Sequence, residues 1–199
     1  MNNIAILILS AGASSRMGTP KQLLPWGDLT LLEHAIATAN ASTSVETFVV
    51  LGAHADEIQQ QIAINATVLF HKNWKLGIGS SLAFGISQLA NKSFDAVLIM
   101  LADQPFVSTE YINELLLCFQ TSAEKIIASK FHENIGVPAV FSSEYFNDLK
   151  NLKGDVGAKK IIKSNLEDVK TVDGNAVVMD VDTVEMYKKA YKLKFDDYR

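Results

Sequence analysis

Three segments of this chain carry side chains suited to chemistry on phosphates. The first is Leu9-Ser10-Ala11-Gly12-Ala13-Ser14-Ser15-Arg16-Met17-Gly18-Thr19-Pro20-Lys21-Gln22, which continues directly from the apolar run Ile4–Leu9. Its small residues let a ligand approach the backbone closely, and successive N–H groups can form an anion-binding nest. Arg16 and Lys21 add two positive charges to the same loop, which suits a polyphosphate. The second segment, Leu101-Ala102-Asp103-Gln104-Pro105, places a carboxylate at the end of another apolar run. A carboxylate there can hold Mg²⁺ together with phosphate oxygens, or it can be an ordinary turn residue at a strand end. In the third, Met179-Asp180-Val181-Asp182-Thr183, alternation points Asp180 and Asp182 to one side. Asp182 or Thr183 can equally cap the helix that follows.

Two familiar phosphate loops do not fit. The spacing of Gly12, Gly18 and Lys21 departs from the Gly-x4-Gly-Lys-Ser/Thr pattern, and Gly-x-Gly-x-x-Gly is absent from the first turn. Further along, Ser80 and Ser81 follow Gly77 and Gly79 and open a helix-period segment, so an anion site or a plain capped turn is expected there. His54 reads as a helix-start residue, and His34, His71 and His132 share no ligand spacing.

The elements that must position these residues follow from apolar patterning. Short apolar runs at Ile4–Leu9, Thr47–Leu51, Ala66–Phe70 and Ala96–Leu101 read as strands buried on both faces. Helix-period segments lie between and after them, at Leu31–Asn40, Ala55–Ile64, Ser80–Leu89 and Ser108–Phe119, the last with Ser108 as N-cap. This alternation predicts parallel strands joined by right-handed crossovers, with helices on both faces. Beyond residue 124 the rhythm changes. Strands are expected at Lys125–Ser129, Val137–Phe141, Asp168–Val172 and Val177–Val181, with helices at Ser143–Leu149, Val156–Ser164 and Thr183–Leu193. With no repeat, low-complexity stretch or linker, one continuous α/β domain is predicted: residues 1–123 as a ligand-binding half, 124–193 as a second half, and 194–199 as a frayed tail.

Composition narrows the function further. The 199 residues include 18 Lys+Arg against 22 Asp+Glu, a formal net charge of −4, which argues against a nucleic-acid backbone binder. Hydrophobic residues make up 48% of the chain, which excludes disorder as its main state. The single cysteine, Cys118, rules out an intramolecular disulfide framework or a Cys-based zinc site, and its apolar neighbours mark it as a core thiol. Met1-Asn2-Asn3 has no basic character, and the apolar run after it is too short for a signal-peptide core or a membrane span. A cytoplasmic protein without a membrane partner is the expectation.

The first loop closely resembles that of the molybdenum cofactor nucleotidyltransferase family (MobA/MocA-like). That family carries Leu-x-Ala-Gly-x-Ser-x-Arg-Met-Gly-x-x-Lys after its first strand, matched here by Leu9, Ala11, Gly12, Ser14, Arg16, Met17, Gly18 and Lys21. Pro20-Lys21-Gln22-Leu23-Leu24 looks like the cytidylyltransferase branch, since the guanylyltransferase branch has an Asp before the Lys. The resemblance implies a three-layer α/β/α Rossmann-like fold of the nucleotide-diphospho-sugar-transferase type, with a mainly parallel sheet. It implies that Leu9, Ser10, Ala11, Gly12, Ser14, Ser15, Arg16, Lys21, Gly79 and Ser80 bind the nucleotide. By the same resemblance Arg16, Lys21 and Asp103 serve catalysis, and Asp103 and Asp182 hold Mg²⁺, with Asp180 as the substitute for Asp182. Gly136, Pro138, Gly154 and Asp155 would face the acceptor. Val137 stands where the family has the His of Gly-His-Pro, Ser10 stands where it has Ala, and Val184-Glu185-Met186 replaces Pro-Glu-Asp.

The activity so implied is Mg²⁺-dependent transfer of CMP from CTP, or of another nucleotide from its triphosphate, to the terminal phosphate of a pterin-type acceptor. A molybdenum hydroxylase would be the downstream partner. Three alternatives stand beside it. One is a non-catalytic cofactor-binding maturation factor, which the missing histidine would suit. Another is a sugar-phosphate nucleotidyltransferase, whose loop usually reads Gly-x-Gly-Thr-Arg-Leu. The third is a nicotinamide-dependent reductase, against which the missing dinucleotide fingerprint argues.

Overall fold

The computed structural model describes residues 3–175 and 177–195. From β1 (Ile4–Ser10) the chain passes through a 3-10 turn (Lys21–Leu23) and a small hairpin, β2 (Pro25–Trp26) and β3 (Leu29–Thr30), into α1 (Leu31–Asn40). The alternation continues with β4 (Glu46–Leu51), α2 (Ala55–Gln61), β5 (Thr67–Phe70), α3 (Ile78–Leu89), β6 (Ala96–Leu101) and α4 (Thr109–Thr121). Next come the hairpin β7 (Ile126–Phe131) and β8 (Asn134–Ser142), then α5 (Phe146–Lys150), α6 (Lys159–Ser164), β9 (Val169–Asp173) and α7 (Val184–Phe195).

Seven strands form one sheet in the order β5-β4-β1-β6-β8-β7-β9. All run parallel except β8, which is antiparallel to both its neighbours. β1 lies inside the sheet between β4 and β6 and is buried along its whole length. Its period-2 alternation feeds two cores: Ile4, Ile6 and Ile8 meet α1, α2 and α4 on one face, while Ala5, Leu7 and Leu9 meet α3, α5 and α6 on the other. A strand covered on both faces needs apolar residues at every position, which is why these strands read as continuous apolar runs. The result is a three-layer α/β/α sandwich of Rossmann-like type. The register aligns Leu9 with Val50 and Leu101, so the carboxyl ends of β1, β4 and β6 meet at one edge.

Side-chain caps set the starts of two helices. Thr30 and Glu33 form a reciprocal capping box on α1, and Ser108 accepts the Tyr111 amide at the start of α4. A third, smaller core joins the C-terminal helix back to the first loop: Trp26 meets Tyr191 and Phe195 edge-on, and the Tyr187 hydroxyl donates to the Pro25 carbonyl at 2.6 Å. Among the described residues, no helix is long and apolar enough to cross a membrane.

The structure corrects the expected strand at Val177–Val181. The Gly174 carbonyl accepts the amides of Val177 and Val178, so the chain turns there instead of extending β9. The apolar side chains of this segment fill cores without joining the sheet: Val177 and Val178 pack on the α1/α2/α4 side, and Met179 and Val181 on the Trp26 core. The 3-10 turn and the β2–β3 hairpin, which apolar spacing does not predict, are built on short-range contacts that leave no periodicity. The expected tail divides: Lys194 is the penultimate residue of α7, and residues 196–199 lie outside the described residues.

Candidate active site

The loop after β1 is folded back on itself by Ser14 and Gln22. Ser14 adopts a left-handed conformation (φ 53°). Its hydroxyl accepts the Lys21 amide at 3.1 Å and donates to Gln22 Oε1 at 3.4 Å. The Gln22 side chain is buried and donates from Nε2 to the carbonyls of Ser10 (3.0 Å) and Gly12 (3.1 Å). The Ala11 carbonyl accepts the Ala53 amide from the end of β4 at 3.0 Å. The carbonyls of this strand end are thus engaged. Among the described residues, the N–H groups of residues 12–16 meet no protein acceptor, the arrangement an anion-binding nest requires.

Lys21, carried back toward the sheet by the 3-10 turn, lies between two carboxylates. Its ammonium donates to Asp103 Oδ2 and, at 3.2 Å, to Asp182 Oδ1. Asp103 follows the end of β6 and is almost fully buried, and its Oδ1 has no partner among the described residues. Burial pushes the Asp103 carboxyl above its ordinary 3.8, with Asp180 and Asp182 adding to the rise and Lys21 opposing it. Burial would lower the Lys21 pKa, but the two carboxylates outweigh it and hold the ammonium above its ordinary 10.5. Asp180 is held differently: Gln104 Nε2 donates to its Oδ1 at 2.9 Å and to the Val137 carbonyl at 3.3 Å. The Val181 amide donates to the Asp103 carbonyl at 2.9 Å, which fastens the segment carrying both aspartates to the β6 end.

Beside this cluster lies a cavity of about 340 Å³. Leu9, Ser10, Ala11 and Gly12 form one wall, and Lys21 and Asp103 border it. Trp74, Gly77, Ile78 and Ser81 line its other side, together with Asp155. Gly77 can be nothing else: its φ is +99°, and a Cβ there would lie 2.4 Å from the Gly154 backbone. The Gly79 amide donates to the Gly154 carbonyl at 2.8 Å, so the start of α3 and the Gly154 loop form a single wall. Ser80 bonds to His71 Nε2 at 3.0 Å and does not line the cavity; of the two serines that open α3, Ser81 does.

The structure therefore brings together Leu9 to Gly12, Lys21, Asp103, Asp155 and Asp182. Arg16 and Ser15 are exposed on the outer loop, off the cavity wall. Asp155 shares the cavity with Leu9–Gly12. Gly136 and Pro138 lie inside β8, buried, with Gly136 against the Phe131 ring. Asp180 and Asp182 also border a second hollow of about 520 Å³, next to Phe106, His132 and Asn175. Reading the sequence assigned no individual role to Gln22, Gln104, His71 or Trp74, although Gln22, Gln104 and Trp74 lie in segments it singled out. Buried amides and a buried imidazole leave no periodic signal; for Gln22 and Gln104 the one available clue was adjacency to Lys21 and Asp103.

The MobA-like NTP transferase domain family matches residues 6–169. The purine catabolism protein PucB of Bacillus subtilis is 30% identical over 192 residues, covering 91% of this chain and 92% of that protein. The nicotine blue oxidoreductase of Paenarthrobacter nicotinovorans is 28% identical over 196 residues, with 92% and 94% covered. Among solved structures, Rv0371c of Mycobacterium tuberculosis superposes with a TM-score of 0.86 at 27% identity, over 96% of this chain and 98% of that one. A complex of the same protein with manganese gives 0.82 at 26%, with the same shares covered. By profile and by fold, this chain belongs to the MobA-like nucleotidyltransferase family.

Proposed function

We propose that the protein transfers CMP from CTP to the terminal phosphate of a molybdopterin-type cofactor, releasing pyrophosphate, in a Mg²⁺-dependent reaction. The observation that carries this reading is the convergence of Lys21, Asp103 and Asp182 at the edge of the cavity walled by Leu9–Gly12. The donor set fits a hard divalent cation: two carboxylates meet there, and Asp103 keeps one buried oxygen without a partner. Asp103 and Asp182 would hold Mg²⁺, which supplies neutralisation of phosphate charge when bound.

The protein's own groups do the rest. The backbone of Leu9–Gly12 faces the base, and the N–H groups of residues 12–16 donate to phosphate oxygens. Lys21, with Arg16 on the outer loop, neutralises the triphosphate. An oxygen of the acceptor phosphate attacks the α-phosphorus as the bond to the pyrophosphate oxygen breaks. No protein nucleophile is required, so catalysis consists of alignment and charge stabilisation. The choice of CTP rests on Pro20-Lys21-Gln22-Leu23-Leu24. The pterin acceptor, and a molybdenum hydroxylase as the enzyme that receives the product, rest on the family resemblance.

A second reading, a nicotinamide-dependent oxidoreductase, is favoured by one observation, the near full-length likeness to nicotine blue oxidoreductase. Measuring pyrophosphate release from CTP and GTP, with Mg²⁺ and a phosphorylated pterin, separates the two. Release that depends on the pterin and prefers CTP is the expected result. NADPH oxidation without any pyrophosphate release would overturn the proposal in favour of the second reading.

A further inference from the structure

The cavity wall contributed by the turn before α3 is aromatic. Trp74 is half-buried there, beside Lys75 and Ile78. Its seat is cut into the end of β4, because a Cβ on Gly52 would lie 2.5 Å from Trp74 Cβ and 2.8 Å from the Ala11 carbonyl oxygen. Gly52 thus brings the indole next to the strand end that lines the cavity. The turn carrying Trp74 is pinned at several points by His71. The His71 amide donates to the Leu51 carbonyl at 2.8 Å, its own carbonyl accepts the Trp74 amide at 3.3 Å, and its ring meets Ser80 and stacks on Phe84. Lys75 Nζ sits 5.7 Å from the centre of the indole and adds a cation–π contact.

We propose that the Trp74 indole stacks on the heterocyclic base of the bound nucleotide, an assignment that rests on the nucleotidyl-transfer reading of this cavity. The two walls then do different work. Backbone groups of Leu9–Gly12 meet the edge of the base, where hydrogen bonds discriminate. Trp74 meets its face, where contact is worth nearly the same for every base. Removing the indole therefore weakens CTP and GTP alike and leaves recognition of the phosphates intact.

Calorimetry on the full chain with Mg²⁺ tests this, using CTP, GTP and inorganic tripolyphosphate against the wild type, W74A and W74F. W74A is expected to bind both nucleotides roughly tenfold more weakly or worse, with unchanged affinity for tripolyphosphate, and W74F to regain most of the loss. Fluorescence gives an independent readout, since the chain has two tryptophans and Trp26 is buried in a separate core. CTP should quench wild-type emission, tripolyphosphate should not, and CTP should leave W74F emission unchanged. Unaltered nucleotide affinity in W74A, or an equal loss of tripolyphosphate binding, would overturn the stacking role. So would quenching by a free pterin but not by CTP or GTP. If the wild type binds neither CTP nor GTP, the nucleotidyl-transfer reading itself fails and takes this role with it.

Discussion

The Lys21 ammonium is bound to the Asp103 carboxylate across 82 residues of sequence, and it is the only partner that carboxylate has among the described residues. Removing Lys21 would therefore strand a buried charge. Lys21→Met, which keeps the apolar stem, should cost roughly 3 kcal/mol of unfolding free energy. Urea titration of Lys21→Met, Asp103→Asn and the double variant checks this. The double variant is expected to recover much of the loss, and strictly additive costs would argue against coupling between the two residues.

Asp103→Asn keeps the side chain's size and removes its charge. Pyrophosphate release should fall at least about a hundredfold, the scale of losing one preorganised electrostatic contact. A steady-state assay at saturating CTP and Mg²⁺ is sufficient. Near-normal turnover would sink the assignment of Asp103 as a metal ligand.

Gln22 holds two carbonyls of the cavity wall with a single buried amide. Gln22→Ala leaves both carbonyls short of a donor, at a cost of about 1–3 kcal/mol. Gln22→Glu should be worse, because it sets an acceptor against two acceptors. Thermal melts give the stability change, and KM for the nucleotide should rise in both variants.

Two glycines on opposite cavity walls should respond in opposite ways. A Cβ on Gly12 meets nothing within 4 Å, whereas one on Gly77 runs into the Gly154 backbone from a left-handed conformation. Gly12→Ala is expected to leave stability within about 0.5 kcal/mol while weakening nucleotide binding, since the methyl enters space meant for the ligand. Gly77→Ala should cost about 2 kcal/mol or more and weaken binding as well. Paired melts and nucleotide titrations distinguish the two patterns.

Burial holds the His34 and His71 imidazoles below their ordinary pKa of 6.5; for His34 the effect persists although its Nε2 donates to the Pro105 carbonyl at 3.0 Å. As pH falls below 6.5, the unfolded chain takes up these protons before the folded one does. Stability should accordingly be full above that pH and decline through the window beneath it, until the folded-state rings protonate as well. Melting temperatures between about pH 7.5 and pH 5 measure the slope. His71→Gln, which can still bond to Ser80, should flatten it, and an unchanged slope would show that His71 contributes nothing to it.

What the sequence determined by itself was local. A strand covered on both faces must be apolar at every position, so Ile4–Leu9 and Ala96–Leu101 announce themselves, and Ser108 announces the helix it caps. Because β and α alternate, the loop after β1 and the carboxylate after β6 had to emerge near one sheet edge, so Lys21 and Asp103 were legible as candidates. Tertiary structure decided what these residues touch. That Lys21 bridges Asp103 and Asp182, that Gln104 takes Asp180, and that Ser81 rather than Ser80 lines the cavity all depend on strand order and on turns without periodicity. The reversed strand β8 and the turn that replaced a strand at Val177–Val181 belong with them. Apolar spacing encodes which side of its own element a residue faces. Only the packing of distant elements, here bringing Trp74 over Gly52 beside Ala11, determines which side chains share a cavity.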